Sequence, residues 1–167
     1  MVQTVTGFEP ENILEAIEQA SKLYYRLGLI IAPTGSGKTG LLQAVQEQYG
    51  FPLVNVNLEL SRLLLDLTER QRLLQISRLL EHLCAQVDRE TVLLDNTEIL
   101  FDQSLKQDPL HLLQGISRNR TVVATWNGTL ENEHLIYASP DHAEYRHYPN
   151  QDFLAITPGV FQGGTSV

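Results

Sequence analysis

The apolar run Leu27-Gly28-Leu29-Ile30-Ile31 passes without polar interruption into Ala32-Pro33-Thr34-Gly35-Ser36-Gly37-Lys38-Thr39, and that turn opens the pattern "GLLQAVQEQYG". The run is short and apolar on both faces, as a buried parallel strand is. Beyond the turn, Leu41, Leu42 and Val45 recur at helical spacing, and Gly50 suits the left-handed end of a helix. A strand buried on both faces needs neighbours on either side and helices above and below. This one feature therefore restricts the chain to an α/β layered fold.

Neighbours are easily found. "PENILEAIEQASKLYYRL" sets Ile13, Leu14, Ile17 and Ala20 opposite its glutamates and predicts an opening helix. Residues 51 to 57, "FPLVNVN", alternate and are rich in Val, which predicts a second strand. The segment from Leu58 to Gln86 is helical in two pieces joined near "DLTER", with Leu73, Ile76, Leu80 and Leu83 as one apolar stripe. "TVLLDN" (91 to 96) predicts a third strand, "PLHLLQGISR" a helix with Pro109 in its first turn, and "TVVATW" (121 to 126) a fourth strand. The alternation predicts a mainly parallel sheet between two helical layers. With a helix and a strand between the loop and residue 91, the third strand is expected beside the first. After Trp126 one or two further strands are expected, one of them around Glu144 to Tyr148, and no helical lid. One domain over residues 1–150 is expected, with 151–167 as a flexible tail.

The turn itself carries chemistry. GxxxxGK[ST] turns hold phosphates because backbone amides converge at a helix start while a lysine neutralises oxygens and a hydroxyl completes a magnesium shell. Here Ala32 stands at the first glycine position. Pro33, Thr34, Gly35, Ser36, Gly37, Lys38, Thr39 and Gly40 are the expected cradle, Lys38 its cation and Thr39 the hydroxyl on the metal side. Val92-Leu93-Leu94-Asp95 ends an apolar strand in a carboxylate, the pattern of a Walker B acid holding Mg2+ opposite Thr39. ATP and Mg2+ are the expected cofactors.

The base is less determined, because Asn96 follows Asp95 where many such ATPases carry a glutamate. Glu98 on the same loop and Glu59 beyond the second strand are the candidates; each is equally readable as an acid favoured at a helix start. Asn127, ending "TVVATWN", is a candidate sensor of the terminal phosphate, but Asn127-Gly128 also has the composition of a hairpin turn. Arg118, Arg120 and Arg146 are candidates for an arginine reaching a neighbouring site.

Composition narrows the class. The chain has 167 residues, and its net charge of -8 repels a phosphate backbone at long range, so nucleic-acid binding by the isolated chain is not expected despite Arg62, Arg70, Arg72 and Arg78. Apolar residues make up 43% of it, without the roughly 18 in succession that a membrane span needs, and "MVQTVTGFEPEN" does not read as a secretory signal. The lone Cys84 offers no internal disulfide. A soluble, cytoplasmic protein is expected. Five histidines show neither HxxxH nor CxxC spacing, so no metal-ligand cluster is expected.

Taken together, "APTGSGKT", "FPLVNVNLELSRLLLDL", "LLDNTEILFD", "LKQDPLHLLQGISRNRTVVATWNG" and "HLIYASPDHAEYRHYP" resemble the BrxF family, the small P-loop proteins of some BREX phage-defence systems. The resemblance runs from the loop to Pro149. It implies a P-loop NTPase fold and a nucleotide-binding component with a regulatory or assembly-driving role. Its partners would be other BREX proteins: a large AAA-like ATPase, a methyltransferase and a phosphatase-like protein.

The residues and the resemblance lead to one expectation: a minimal P-loop ATPase of the AAA/RecA-like division whose ATP state controls homo-oligomerisation or docking. The alternatives are a nucleotide-binding scaffold with little hydrolysis, suggested by Asn96, and a small-molecule kinase, disfavoured by the lack of an arginine-rich lid.

Overall fold

The structure, a computed structural model, describes residues 3–87, 89–138, 143–149 and 152–159. It is an α/β fold built on a mixed, mostly parallel sheet flanked by helices. The chain opens with strand β1 (Gln3–Thr6) and helix α1 (Pro10–Ala20), then gives β2 (Leu27–Ala32) and α2 (Lys38–Tyr49). Next come β3 (Leu53–Asn55), α3 (Val56–Leu64), α4 (Glu69–Ala85) and β4 (Thr91–Asp95). A 3-10 turn (Thr97–Phe101) precedes α5 (Pro109–Ile116), and β5 (Thr121–Glu131), β6 (His134–Tyr137), β7 (Arg146–Pro149) and β8 (Leu154–Thr157) follow.

The parallel part of the sheet has the order β1-β8-β2-β5-β4-β3, and β6 and β7 add an antiparallel hairpin to the far end of β5. Helices α3, α4 and α5 bury one face with Ile76, Leu80, Leu110 and Leu113; α1 and α2 bury the other with Ile13, Ile17, Leu42 and Val45. Each such side chain, fully removed from water, contributes roughly 1.5–3 kcal/mol. The expected break in the long helical segment falls at residues 65–68. There Thr68 and Gln71 form a reciprocal capping box that restarts the chain as α4.

Four local expectations are corrected. The third strand does not lie beside the first: β5 is inserted between β2 and β4, pairing with both. The reason is burial, since Thr121 to Trp126 are all buried and a strand so apolar belongs at the centre of the sheet. The second strand is only three residues long, because the Asn55 side chain accepts from Leu58 N at 3.0 Å and starts α3. Asn127-Gly128 is not a turn but lies within β5, and the hairpin turn falls at Asn132 and Glu133, both at positive φ. Gly128 is required for close approach: a Cβ there would stand 1.8 Å from the Ile136 carbonyl oxygen. The stretch expected as a tail from 151 contains β8, whose Leu154, Ala155 and Ile156 are fully buried between β1 and β2. Residues 151 and 160–167 of that stretch lie outside the described residues.

The strand expected around Glu144 to Tyr148 is β7, shifted to Arg146–Pro149. β1 had no sequence signal; at four residues, mostly exposed, it is defined by its pairing with β8. Among the described residues no helix is long and apolar enough to cross a membrane.

Candidate functional site

The parallel strands all end at one edge of the sheet, and the loop Pro33–Gly37 leaves β2 there. Gly35 and Gly37 take positive φ (83° and 92°), and no atom lies within 4 Å of where their Cβ atoms would be. The glycines are therefore needed for backbone conformation, and they leave the inside of the loop open. The first helical bond of α2 runs from Leu41 N to Gly37 O, so the amides of Lys38, Thr39 and Gly40 precede the ladder.

Lys38 is folded over this loop. Its Nζ donates to Ala32 O and Pro33 O, both at 2.8 Å, and only 6% of the residue is exposed. Burial lowers its pKa, and the negative charges of Glu98 and Asp95 partly offset that shift. Ser36 Oγ donates to Pro33 O at 2.6 Å and closes the turn from the other side.

Asp95 ends β4 with 5% exposure, and Thr125 Oγ1 on the neighbouring β5 donates to its Oδ1 at 3.1 Å. Asn96 bends the chain at φ 53°, a left-handed conformation that asparagine tolerates. Thr97 Oγ1 then donates to Thr125 O at 2.7 Å, which pins the 3-10 turn to β5 and carries Glu98 back toward the loop. There Asn127 Nδ2 donates to Glu98 Oε2. Because Asn127 is in register with Ala32, the insertion of β5 delivers this amide beside the loop.

Thr34, Gly35, Gly37, Lys38, Thr39, Asp95, Asn96, Glu98 and Asn127 thus line one cleft of about 260 Å3. Ligand clefts usually run from roughly 300 to 1,000 Å3, so this space is too small to enclose a whole nucleotide and could take a polyphosphate group. Thr39 and Asp95 face the same space, a hydroxyl and a carboxylate of the kind magnesium takes alongside water and phosphate oxygens.

Glu59 is not brought here. It sits in the first turn of α3, half-exposed, 3.6 Å from Arg62 in an ion pair, and lines a separate hollow with Asn55, Leu83 and Gln86. Arg118 and Arg120 precede β5 at the opposite end of the sheet. There Arg118 lies over the Tyr24 ring and Arg120 pairs with Glu81 at 2.8 Å. Arg146 opens β7 and donates to Tyr145 O. Thr125 and Thr97 were not anticipated; a threonine two residues after Asp95 and another two before Asn127 were visible, but only the pairing of β4 with β5 makes them partners.

No protein-family model, curated protein or solved structure matches this chain.

Proposed function

We propose that this chain is a P-loop ATPase of the AAA/RecA-like division that binds ATP with Mg2+ in the loop cleft. One observation carries the reading: the loop residues Gly35 to Thr39, the acid Asp95, the carboxylate of Glu98 and the amide of Asn127 converge from the ends of β2, β4 and β5 on one small cleft. In this reading the loop amides and Lys38 hold the phosphates, and Thr39 and Asp95 hold the metal. The metal's contribution when bound is to neutralise phosphate charge. Glu98 orients and deprotonates the attacking water, and Asn127 fixes the position of Glu98.

With no lid helix among the described residues after β5, the cleft is open on one side. A neighbouring subunit or partner completes it, so the nucleotide state governs homo-oligomerisation or docking. This is the role expected of a regulatory or assembly component in a BREX-type phage-defence system. The direct test is calorimetry with ATP and Mg2+, paired with phosphate release. Wild type binds and turns over; Lys38→Ala weakens binding at least about tenfold, and Asp95→Asn abolishes turnover. Absence of heat from folded protein, alone and with its assembly partners, would overturn the reading.

A second reading is supported by the Asn127 to Glu98 hydrogen bond. A carboxylate already engaged by an amide is a poor base, and a chain that keeps it so holds nucleotide as a structural ligand with little hydrolysis. No turnover in the assembled system, with binding intact, selects this scaffold.

A further inference from the structure

The five histidines are unremarkable in sequence, but folding brings two of them together. His134 begins β6 and His147 is the second residue of β7, and the antiparallel pairing places them diagonally on the outer face of the hairpin. His134 Nδ1 and His147 Nε2 are 3.0 Å apart at the surface, with the rings tilted 67° to one another. Their strands are held in register from both sides. The tight turn at Asn132 and Glu133 fixes β6 to β5, while Leu135 and Tyr148, opposite each other on the inner face, are buried in the core. Glu131 is the register partner of His134 across β5, so its carboxylate is borne on the same outer face.

We propose that His134 and His147 form a chelating site for a divalent d-block ion of the zinc class. Such ions bind imidazole nitrogen at about 2.0–2.1 Å, so two nitrogens 3.0 Å apart enclose a metal at an angle near ~90°, and a separation of ~3.3 Å gives the tetrahedral angle. Chelation therefore opens the bite by a few tenths of an ångström and turns both rings so that their lone pairs converge, movements that two side chains at the surface can make. The 3.0 Å contact is a hydrogen bond when one ring carries its hydrogen on the facing nitrogen. Binding needs that hydrogen moved to the ring's far nitrogen, a tautomer change that releases no net proton when both rings start neutral. Among the described residues no group of three His, Cys, Asp or Glu side chains forms a metal cage. The two imidazoles are therefore a bidentate site whose other positions are filled by water or by a donor from outside.

Magnesium and calcium prefer oxygen donors, which separates this site from the loop cleft. The chain supplies its own reporter. Its single tryptophan, Trp126, donates to Ile136 O on β6 and packs edge-on against Tyr148 of β7, ring centroids 5.8 Å apart.

The test is titration of the full chain with Zn2+ and, separately, Ni2+, followed by calorimetry and Trp126 fluorescence. One ion per chain is expected to bind without nucleotide and to raise Tm as its concentration passes its Kd. His134→Ala and His147→Ala each weaken zinc binding at least about tenfold, and His111→Ala and Lys38→Ala leave it unchanged. Ring-nitrogen NMR of wild type, read alongside, assigns the ligands even if a variant folds poorly, with the His134 and His147 signals shifting first. Unchanged affinity in both variants, first shifts at other histidines, or no binding by wild type would each overturn the site.

Discussion

Asn127 on β5 donates its side-chain amide hydrogen to Glu98 in the turn after β4, although the two are 29 residues apart in sequence. The bond places the carboxylate at the mouth of the Pro33–Gly37 loop. If Glu98 is the base as proposed, replacing it with Gln keeps the shape and removes that function, so phosphate release is expected to fall on the order of 100-fold while ATP affinity stays within a few-fold. Glu59→Gln is expected to leave both unchanged, because Glu59 faces a different hollow. Equal losses in the two variants would refute this assignment.

Lys38 gives a pH signature. Its folded pKa lies below the ordinary 10.5 because burial disfavours the ammonium. For folding, the buried charge is a penalty that fades as pH rises through the folded value toward 10.5, since the unfolded chain binds the extra proton. For the proposed ATP binding the sign is opposite: it is the charged form that would hold phosphate, so affinity should decline with rising pH at a lower pH than an exposed lysine would give. ATP affinity measured between neutral pH and pH about 10 checks this, with Lys38→Arg expected to be flat over the range.

The open side of the cleft predicts association. Light scattering is expected to show a larger mass with ATP and Mg2+ than without, and the increase should disappear in Lys38→Ala. An unchanged monomer over a broad concentration range would count against a subunit-completed site.

Gly128→Ala tests the hairpin. The added methyl carbon would overlap the Ile136 carbonyl oxygen, so β5 and β6 must separate locally. A loss of about 1–3 kcal/mol in urea unfolding is expected, accompanied by a change in Trp126 emission.

Much of this architecture was legible because periodicity and punctuation agreed. Leu27 to Gly50 named its strand, loop and helix without ambiguity, and Asp95 was marked by the apolar residues before it. What was hidden depends on pairing. Nothing local says that β5 slots between β2 and β4, yet that insertion makes Thr125 the partner of Asp95 and Asn127 the partner of Glu98. Asn-Gly misdirected because the usual reason for glycine, a turn, was displaced by a rarer one, the passage of a carbonyl. Glu59 looked as favourable as Glu98 until α3 carried it one turn away from the strand end. The His134 and His147 pair is invisible to any spacing rule, because thirteen residues separate rings that only a hairpin brings together.

β5 spans eleven residues of the one sheet, its first part flanked by β2 and β4 and its last part paired with β6. Asn127 is the last residue of β5 paired with β2 and Gly128 the first paired with β6, so the side chain that reaches Glu98 stands at the seam between the two pairings, and a change of register on either side would move it.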